Sequence, residues 1–128
     1  MSFRLDHVSL RVADIHASTQ FYVAVFGWPI VRTSGEPITG QWLDIGGSDT
    51  LHLNQADMST TAVTKDNHLA LRVDGFDAFV ARLTEIGVVY YNWAGAANAV
   101  GQHPAGFRQI YIQDPDSYWV EINDHTHG

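Results

Sequence analysis

The chain has 128 residues, enough for one ordinary domain with its own core, and 45% of them are hydrophobic, as in folded globular proteins. Its formal net charge is −7 with only seven Lys and Arg, which disfavours nucleic acid as a partner, because binding a phosphate backbone requires clustered cations. The absence of cysteine excludes thiolate metal sites and disulfides, and no apolar stretch has the length of a signal peptide or membrane span, so we expect a cytoplasmic protein with no membrane partner.

The first half of the chain predicts a βαβββ module. Residues 4–12 alternate in the manner of a strand, and Asp14 is placed to cap a helix that ends at Gly27. A connector rich in Ser, Thr and Ala follows at 55–67. Between the helix and this connector, short strands separated by turn sequences are predicted at 30–33, 41–45 and 50–54.

The second half predicts the same order of elements. After a strand at 68–73, the apolar residues of 76–86 recur at helical spacing until Gly87. Residues 94–107 show no periodicity and are predicted to form a long mobile loop, and the polar tail at 125–128 is given no function. Strands are predicted at 88–93, 109–113 and 118–123, the last two joined by an Asp-Pro-Asp-Ser turn.

A histidine-bearing strand is present twice. The sequence His-Val-Ser-Leu-Arg-Val at His7 returns as His-Leu-Ala-Leu-Arg-Val at His68, 61 residues later, and the two helix-ending glycines are 60 residues apart. A period of this size indicates a duplicated supersecondary unit. We therefore predict one domain spanning 1–128, with module one at about 1–57 and module two at about 66–124.

Strand alternation places four side chains that are candidate metal ligands at repeat-equivalent positions. His7 and His68 lie on the less apolar faces of their strands, whereas His52 and Glu121 are each flanked by aliphatic residues and followed two places later by asparagine. If each sheet curves with its helix outside, the concave face collects all four in a ligand-binding cup. Two histidines and a carboxylate on one face are typical of divalent metal sites, and the alternative is a polar cavity without metal.

The whole chain resembles the vicinal oxygen chelate superfamily, which includes glyoxalase I, fosfomycin-resistance enzymes, methylmalonyl-CoA epimerase, extradiol dioxygenases and bleomycin-resistance proteins. The resemblance lies in the paired βαβββ pattern, the opening Asp-His-Val-Ser-Leu-Arg-Val, the helix end Phe-Tyr-Val-Ala-Val-Phe-Gly-Trp and the closing Asp-Pro-Asp-Ser-Tyr-Trp-Val-Glu-Ile. It implies an α+β fold in which two tandem βαβββ modules form a curved mixed-sheet cup. It also implies a homodimer with metal sites shared between subunits.

The resemblance also implies a set of metal ligands. His7, His68 and Glu121 correspond to ligands of one divalent ion, whether nickel, cobalt, zinc, manganese or iron. His52 falls at the second ligand position, where glyoxalase I has a glutamate and the epimerase a glutamine, so it is interpreted as a fourth ligand or as a general base. Ser117 stands where the family turn usually has glycine.

Three functions follow from this resemblance. The leading one is a metal-dependent lyase or isomerase in which Glu121 or His52 takes a proton from a small oxygen-chelating substrate. The alternatives are a single-domain non-haem iron dioxygenase and a binding protein that sequesters its ligand without chemistry. The residues proposed to contact a small-molecule substrate are Trp93, His103, Arg108 and Tyr111.

Overall fold

The computed structural model describes residues 1–126, which divide into two compact units, unit 1 at 1–62 and unit 2 from residue 63 onward. The boundary lies within the predicted connector. Unit 1 has the order β1(His7–Val12), α1(Ile15–Phe26), β2(Ile30–Thr33), β3(Gly40–Gly46) and β4(Asp49–Gln55). Unit 2 has the order β5(His68–Arg72), α2(Phe76–Ile86), β6(Gly101–Gln102), β7(Arg108–Gln113) and β8(Trp119–Asn123).

The two units have the same sheet topology. The strand orders are β1-β4-β3-β2 and β5-β8-β7-β6, so in each unit the first strand lies beside the last one. That first pair is parallel and the other pairs are antiparallel. Two mixed four-stranded sheets with one helix each confirm the α+β fold and the βαβββ repeat.

Both helices begin and end where the sequence predicts. The Asp14 carboxylate accepts hydrogen bonds from the backbone N–H groups of His16 and Ala17, at 3.0 and 3.2 Å, which satisfies donors that the first helical turn leaves free. Gly27 and Gly87 end the helices with φ of 73° and 77°, a left-handed conformation that glycine adopts without steric cost. Ser117 takes the same left-handed conformation, with φ of 68°, in the turn before β8.

Aliphatic side chains on the helix-facing side of each sheet form the core. In unit 1, Val12, Leu51 and Leu53 are fully buried, and in unit 2 Ile110 and Ile112 are fully buried. The strand alternation that buries these side chains leaves His7 and His68 on the opposite, exposed face of β1 and β5. The predicted orientation of the two histidines is therefore confirmed.

Three boundary predictions were wrong. Strand β1 begins at His7 and not at residue 4, and no strand forms at 88–93, where Tyr91 alone makes isolated bridges to Ala97 and Tyr111. At 88–93 the strand is interrupted by a tight turn, because the Asn92 side chain accepts a hydrogen bond from the Ala96 N–H at 2.8 Å. The predicted loop at 94–107 contains strand β6, which pairs with the start of β7.

Neither helix in the described part of the chain has the length and apolar character that crossing a membrane requires. The tail residues His127 and Gly128 lie outside the described residues.

Candidate functional site

In unit 2, parallel pairing of β5 with β8 brings His68 next to Glu121. The Nε2 atom of His68 lies 3.2 Å from Oε1 of Glu121. On the other side of the ring, Nδ1 lies 2.8 Å from the carbonyl oxygen of Lys65. A carbonyl oxygen only accepts, so Nδ1 carries the hydrogen and donates it.

This arrangement leaves the Nε2 lone pair of a neutral His68 facing a carboxylate oxygen. Two acceptors at 3.2 Å are mutually favourable only with a cation between them, either a proton on Nε2 or a metal ion. Ligands bound at about 2.1 Å in adjacent coordination positions lie about 3 Å apart, close to the observed spacing. The pair therefore has the chemistry and the separation that a divalent ion requires.

Two donors fix the Glu121 carboxylate. The Tyr111 hydroxyl donates to Oε1 at 2.8 Å, and the Asn123 side-chain amide donates to Oε2 at 2.7 Å. Burial, followed by the hydrogen bond and the charge of Glu121, raises the pKa of Tyr111, so the phenol keeps its proton and remains a donor. Such outer partners orient ligands at metal sites.

In unit 1, His7 also has a hydrogen-bond partner at Nδ1, here a carboxylate. Its Nδ1 donates to the Asp6 carboxylate at 2.7 Å, which leaves Nε2 with the lone pair. A carboxylate on the far nitrogen is the common support for a metal-binding histidine. Asp6 was not singled out from the sequence, although the neighbouring acid is visible there.

His52 lies in a different environment. Its ring stacks on Trp42 with centroids 3.9 Å apart and planes inclined by 13°, and the Arg32 guanidinium lies 4.5 Å above the Trp42 ring. The Nε2 atom is buried without a hydrogen-bond partner among residues 1–126, and Nδ1 lies 3.4 Å from the Asn54 amide nitrogen. Burial, and then the charges of His7 and Arg32, lowers the pKa of His52, which favours the neutral ring.

The predicted ligands therefore occur as two pairs. The ring centroids of His7 and His52 are 6.4 Å apart in unit 1, and His68 contacts Glu121 in unit 2. Across residues 1–126, no group of three or more His, Asp, Glu or Cys side chains forms a metal-binding cluster.

A cavity of about 540 Å³ in unit 2 opens next to His68 and Glu121. Trp93, Tyr111 and His103, all predicted to contact substrate, line it. The backbone N–H of His103 donates to the Phe107 carbonyl at 2.7 Å, and the two rings stack with centroids 4.3 Å apart. The hairpin between β6 and β7 thus forms one aromatic wall.

A larger cavity of about 710 Å³ in unit 1, along the exposed segment 2–6, includes none of the predicted ligands.

Arg108 is held outside the cavity wall. Its guanidinium donates to Asp124 at 2.9 Å and to Asp77 at 2.7 Å, and it lies 4.7 Å above the Phe76 ring. These two ion pairs raise the pKa of Arg108, and its charge is already balanced by two carboxylates.

Lys65 contacts two of the aromatic residues that line the cavity, and it was not predicted from the sequence. Its ammonium donates to the carbonyls of Asn92 and Trp93, both at 2.8 Å. It also lies 4.7 to 5.2 Å from the ring centroids of Trp93, Tyr111 and Trp119. Burial lowers the pKa of Lys65, and the same residue provides the carbonyl that binds His68.

Comparison with known proteins places this architecture in a family. Residues 4–122 match the model of the Glyoxalase/Bleomycin resistance protein/Dioxygenase superfamily. The chain belongs to this superfamily. The lactoylglutathione lyase of Salmonella typhimurium is 30% identical to it, over 93% of this chain and 90% of that protein.

Solved structures of other proteins show the same fold. The oxidase ChaP-H2 has a TM-score of 0.78 at 22% identity, over all of this chain and 98% of that one. The fosfomycin resistance protein FosX from Mesorhizobium loti has a TM-score of 0.72 at 22% identity, over 98% and 95%. The lyase, the oxidase and the resistance protein are named for different activities, so the reaction must be argued from this chain's own residues.

Proposed function

We propose that this superfamily member is a metal-dependent, glyoxalase-like enzyme of the lyase or isomerase class that acts on a small substrate with neighbouring oxygen atoms. The observation that carries the proposal is the 3.2 Å approach of His68 Nε2 to Glu121 Oε1, while Nδ1 donates to the Lys65 carbonyl. We assign His68, Glu121 and His7 as ligands of one divalent ion, whether nickel, cobalt, zinc, manganese or iron.

The metal ion and the protein side chains have separate roles in the proposed reaction. When bound, a divalent ion supplies Lewis-acid polarisation of a substrate oxygen. Glu121 takes the proton from the carbon beside that oxygen, since its carboxylate lies at the cavity and Tyr111 and Asn123 hold it in one orientation. Trp93 and Tyr111 supply aromatic wall surface against which the substrate can pack.

A second candidate is an oxygen-dependent reaction. The proposed ligands His7, His68 and Glu121 are of the same types as the two-histidine, one-carboxylate set that non-haem iron(II) oxygenases use. Oxygen consumption by iron-loaded protein, absent from protein loaded with zinc or nickel, would support this candidate and contradict the lyase or isomerase assignment.

Metal content tests the proposal. Untagged protein purified without chelator is expected to carry about one divalent ion per chain, and His68→Ala to lose it. His16→Ala is the matched control, because His16 lies exposed on α1, away from the predicted ligands. Unchanged metal content in His68→Ala would contradict the metal site, and ligand binding without turnover would favour a sequestering protein.

We also propose that the protein is a homodimer, as the family resemblance implies. Light scattering of the purified protein is expected to give twice the chain mass of 14.2 kDa. A monomer at micromolar concentration would contradict this assembly.

A further inference from the structure

Lys65 contacts the surroundings of both members of the His68–Glu121 pair. Its backbone carbonyl oxygen lies 2.8 Å from Nδ1 of His68 and accepts the hydrogen that this nitrogen carries. Its ammonium lies 4.9 Å from the ring centroid of Tyr111, whose hydroxyl donates to Oε1 of Glu121 at 2.8 Å. One residue therefore contacts the histidine through its backbone and the donor to the carboxylate through its side chain.

The side chain of Lys65 ties this part of the connector to a distant segment of unit 2. The ammonium donates to the carbonyls of Asn92 and Trp93, both at 2.8 Å and 27 and 28 residues away in the sequence. By contrast, the hydrogen bonds between Asn67 and Thr64 span only three residues. Hydrogen bonds from a charged donor are stronger than neutral ones. The two long-range bonds therefore help to hold the backbone at residue 65, and with it the carbonyl that binds Nδ1.

The same ammonium restrains the ring that supports Glu121. Its Nζ lies 4.7 to 5.2 Å from the centroids of three aromatic rings, one of them Tyr111. A cation over the face of an aromatic ring is attracted by the negative charge of that face. Tyr111 also packs edge-to-face on His68, with ring centroids 5.4 Å apart and planes inclined by 87°. A shift of the Tyr111 ring would therefore disturb both His68 and the hydrogen bond to Glu121.

We infer that Lys65 is a positioning residue of the proposed metal site, whose ammonium keeps the residue 65 carbonyl at His68 Nδ1 and the Tyr111 ring in place. The inference rests on the proposed function, because His68 and Glu121 are the residues assigned there as metal ligands. With Nδ1 bound to the carbonyl, Nε2 of His68 faces Oε1 of Glu121 at 3.2 Å. Lys65 is not one of the residues that line the cavity, so it acts through His68 and Tyr111.

The Nδ1–H signal of His68 tests the inference by NMR of metal-free protein labelled with ¹⁵N-histidine. The hydrogen bond to the carbonyl slows exchange of this proton with water, so the wild type should show the signal and His68→Ala identifies it by its loss. Lys65→Met should lose the signal and bind zinc about 10- to 100-fold more weakly in competition with a chelator. Leu83→Ala is the control for loss of stability alone, because Leu83 is fully buried on α2 of the same unit; it should keep both the signal and the zinc affinity.

The absence of cysteine from the sequence allows a chemical rescue at this position. Lys65→Cys, alkylated in denaturant with 2-bromoethylamine and then refolded, carries an ammonium at nearly the length of lysine. Alkylation with 1-iodopropane gives an uncharged side chain of the same length. The aminoethyl form should restore the Nδ1–H signal and the zinc affinity, and the propyl form should behave like Lys65→Met.

Three results would overturn the inference. They are a wild-type signal and zinc affinity in Lys65→Met, an equal loss of both in Leu83→Ala, and a propyl form that restores them as fully as the aminoethyl form. A wild type without the Nδ1–H signal would overturn it as well. A wild type that shows the signal but binds no zinc would contradict the proposed function alone, because the signal reports the orientation of His68 without metal.

Discussion

Replacing Lys65 by methionine removes the only lysine of the sequence and keeps most of the length of the side chain. In the wild type, its ammonium donates two hydrogen bonds of 2.8 Å, to the carbonyls of Asn92 and Trp93. It also lies within 5.2 Å of the Trp93, Tyr111 and Trp119 ring centroids. The variant leaves both carbonyls without this donor and the aromatic rings without their cation.

The contacts that Lys65→Met removes set the expected loss of unfolding free energy. A hydrogen bond from a charged group contributes about 1.5–3 kcal/mol and a cation–π contact about 0.5–2 kcal/mol. These terms do not add in full, because Lys65 is only partly buried and burial opposes its charge, as its lowered pKa indicates. We therefore expect Lys65→Met to lose about 2–3 kcal/mol of unfolding free energy, near the value of one strong charged hydrogen bond.

Urea denaturation measures this loss, and NMR tests its cause. Protein labelled with ¹³C-lysine has one lysine side chain to observe, and its Hε signals should be shifted upfield by the ring currents of three aromatic neighbours. Arg72→Met, at an exposed position of β5, is the control and should cost less than about 0.5 kcal/mol. A loss below about 0.5 kcal/mol in Lys65→Met, or lysine signals at random-coil positions, would refute the reasoning.

Three further predictions follow from the contacts of the site. Tyr111→Phe removes the donor to Glu121 Oε1 and should lower metal affinity about 10- to 100-fold, as measured by competition with a chelator; unchanged affinity would contradict the supporting role. His52→Ala should retain the metal that His68→Ala loses, because Nε2 of His52 is buried under the tryptophan stack; equal loss by metal analysis would show that His52 is a ligand. Hydrogen bonds from Arg108 lower the pKa of the Asp124 carboxyl, so its contribution to folding stability is complete above the ordinary aspartate pKa and is lost as the pH falls through the lowered pKa. Asp124→Asn should therefore reduce the loss of unfolding free energy at acid pH, as measured by urea denaturation at several pH values. Parallel curves of unfolding free energy against pH for variant and wild type would refute this assignment.

The repeat and the strand alternation could be predicted because they depend on local periodicity. Val12 and His7 fall on opposite faces of β1 by the period of two alone, and Gly27 and Gly87 end helices through their own conformational freedom. The strand predicted at 88–93 failed because its apolar run lies next to the Asn92 turn. Residue composition favoured a strand there, and the turn prevented it from forming.

The supporting residues of the site depend on contacts that no local pattern encodes. Trp42 meets His52 because the β3–β4 register places them directly opposite each other, and a shift of one residue would separate them. The contacts of Lys65 with the aromatic rings join residues far apart in sequence, and the Ser-, Thr- and Ala-rich composition of its connector does not specify them. Asp6 could have been found, since a carboxylate next to a candidate ligand histidine is a simple sequence signal.

The repeat-equivalent residues His52 and Glu121 show how the two copies diverged. Glu121 is held by two neutral donors, Tyr111 and Asn123, which stabilise a carboxylate and leave lone pairs available to a cation. His52 instead stacks on Trp42, where an uncharged ring is preferred and one nitrogen is shielded from solvent. A carboxylate could not replace the imidazole there without facing the indole π surface. The Trp42 stack thus favours an imidazole over a carboxylate at this position, and the proposed acid–base chemistry lies in unit 2.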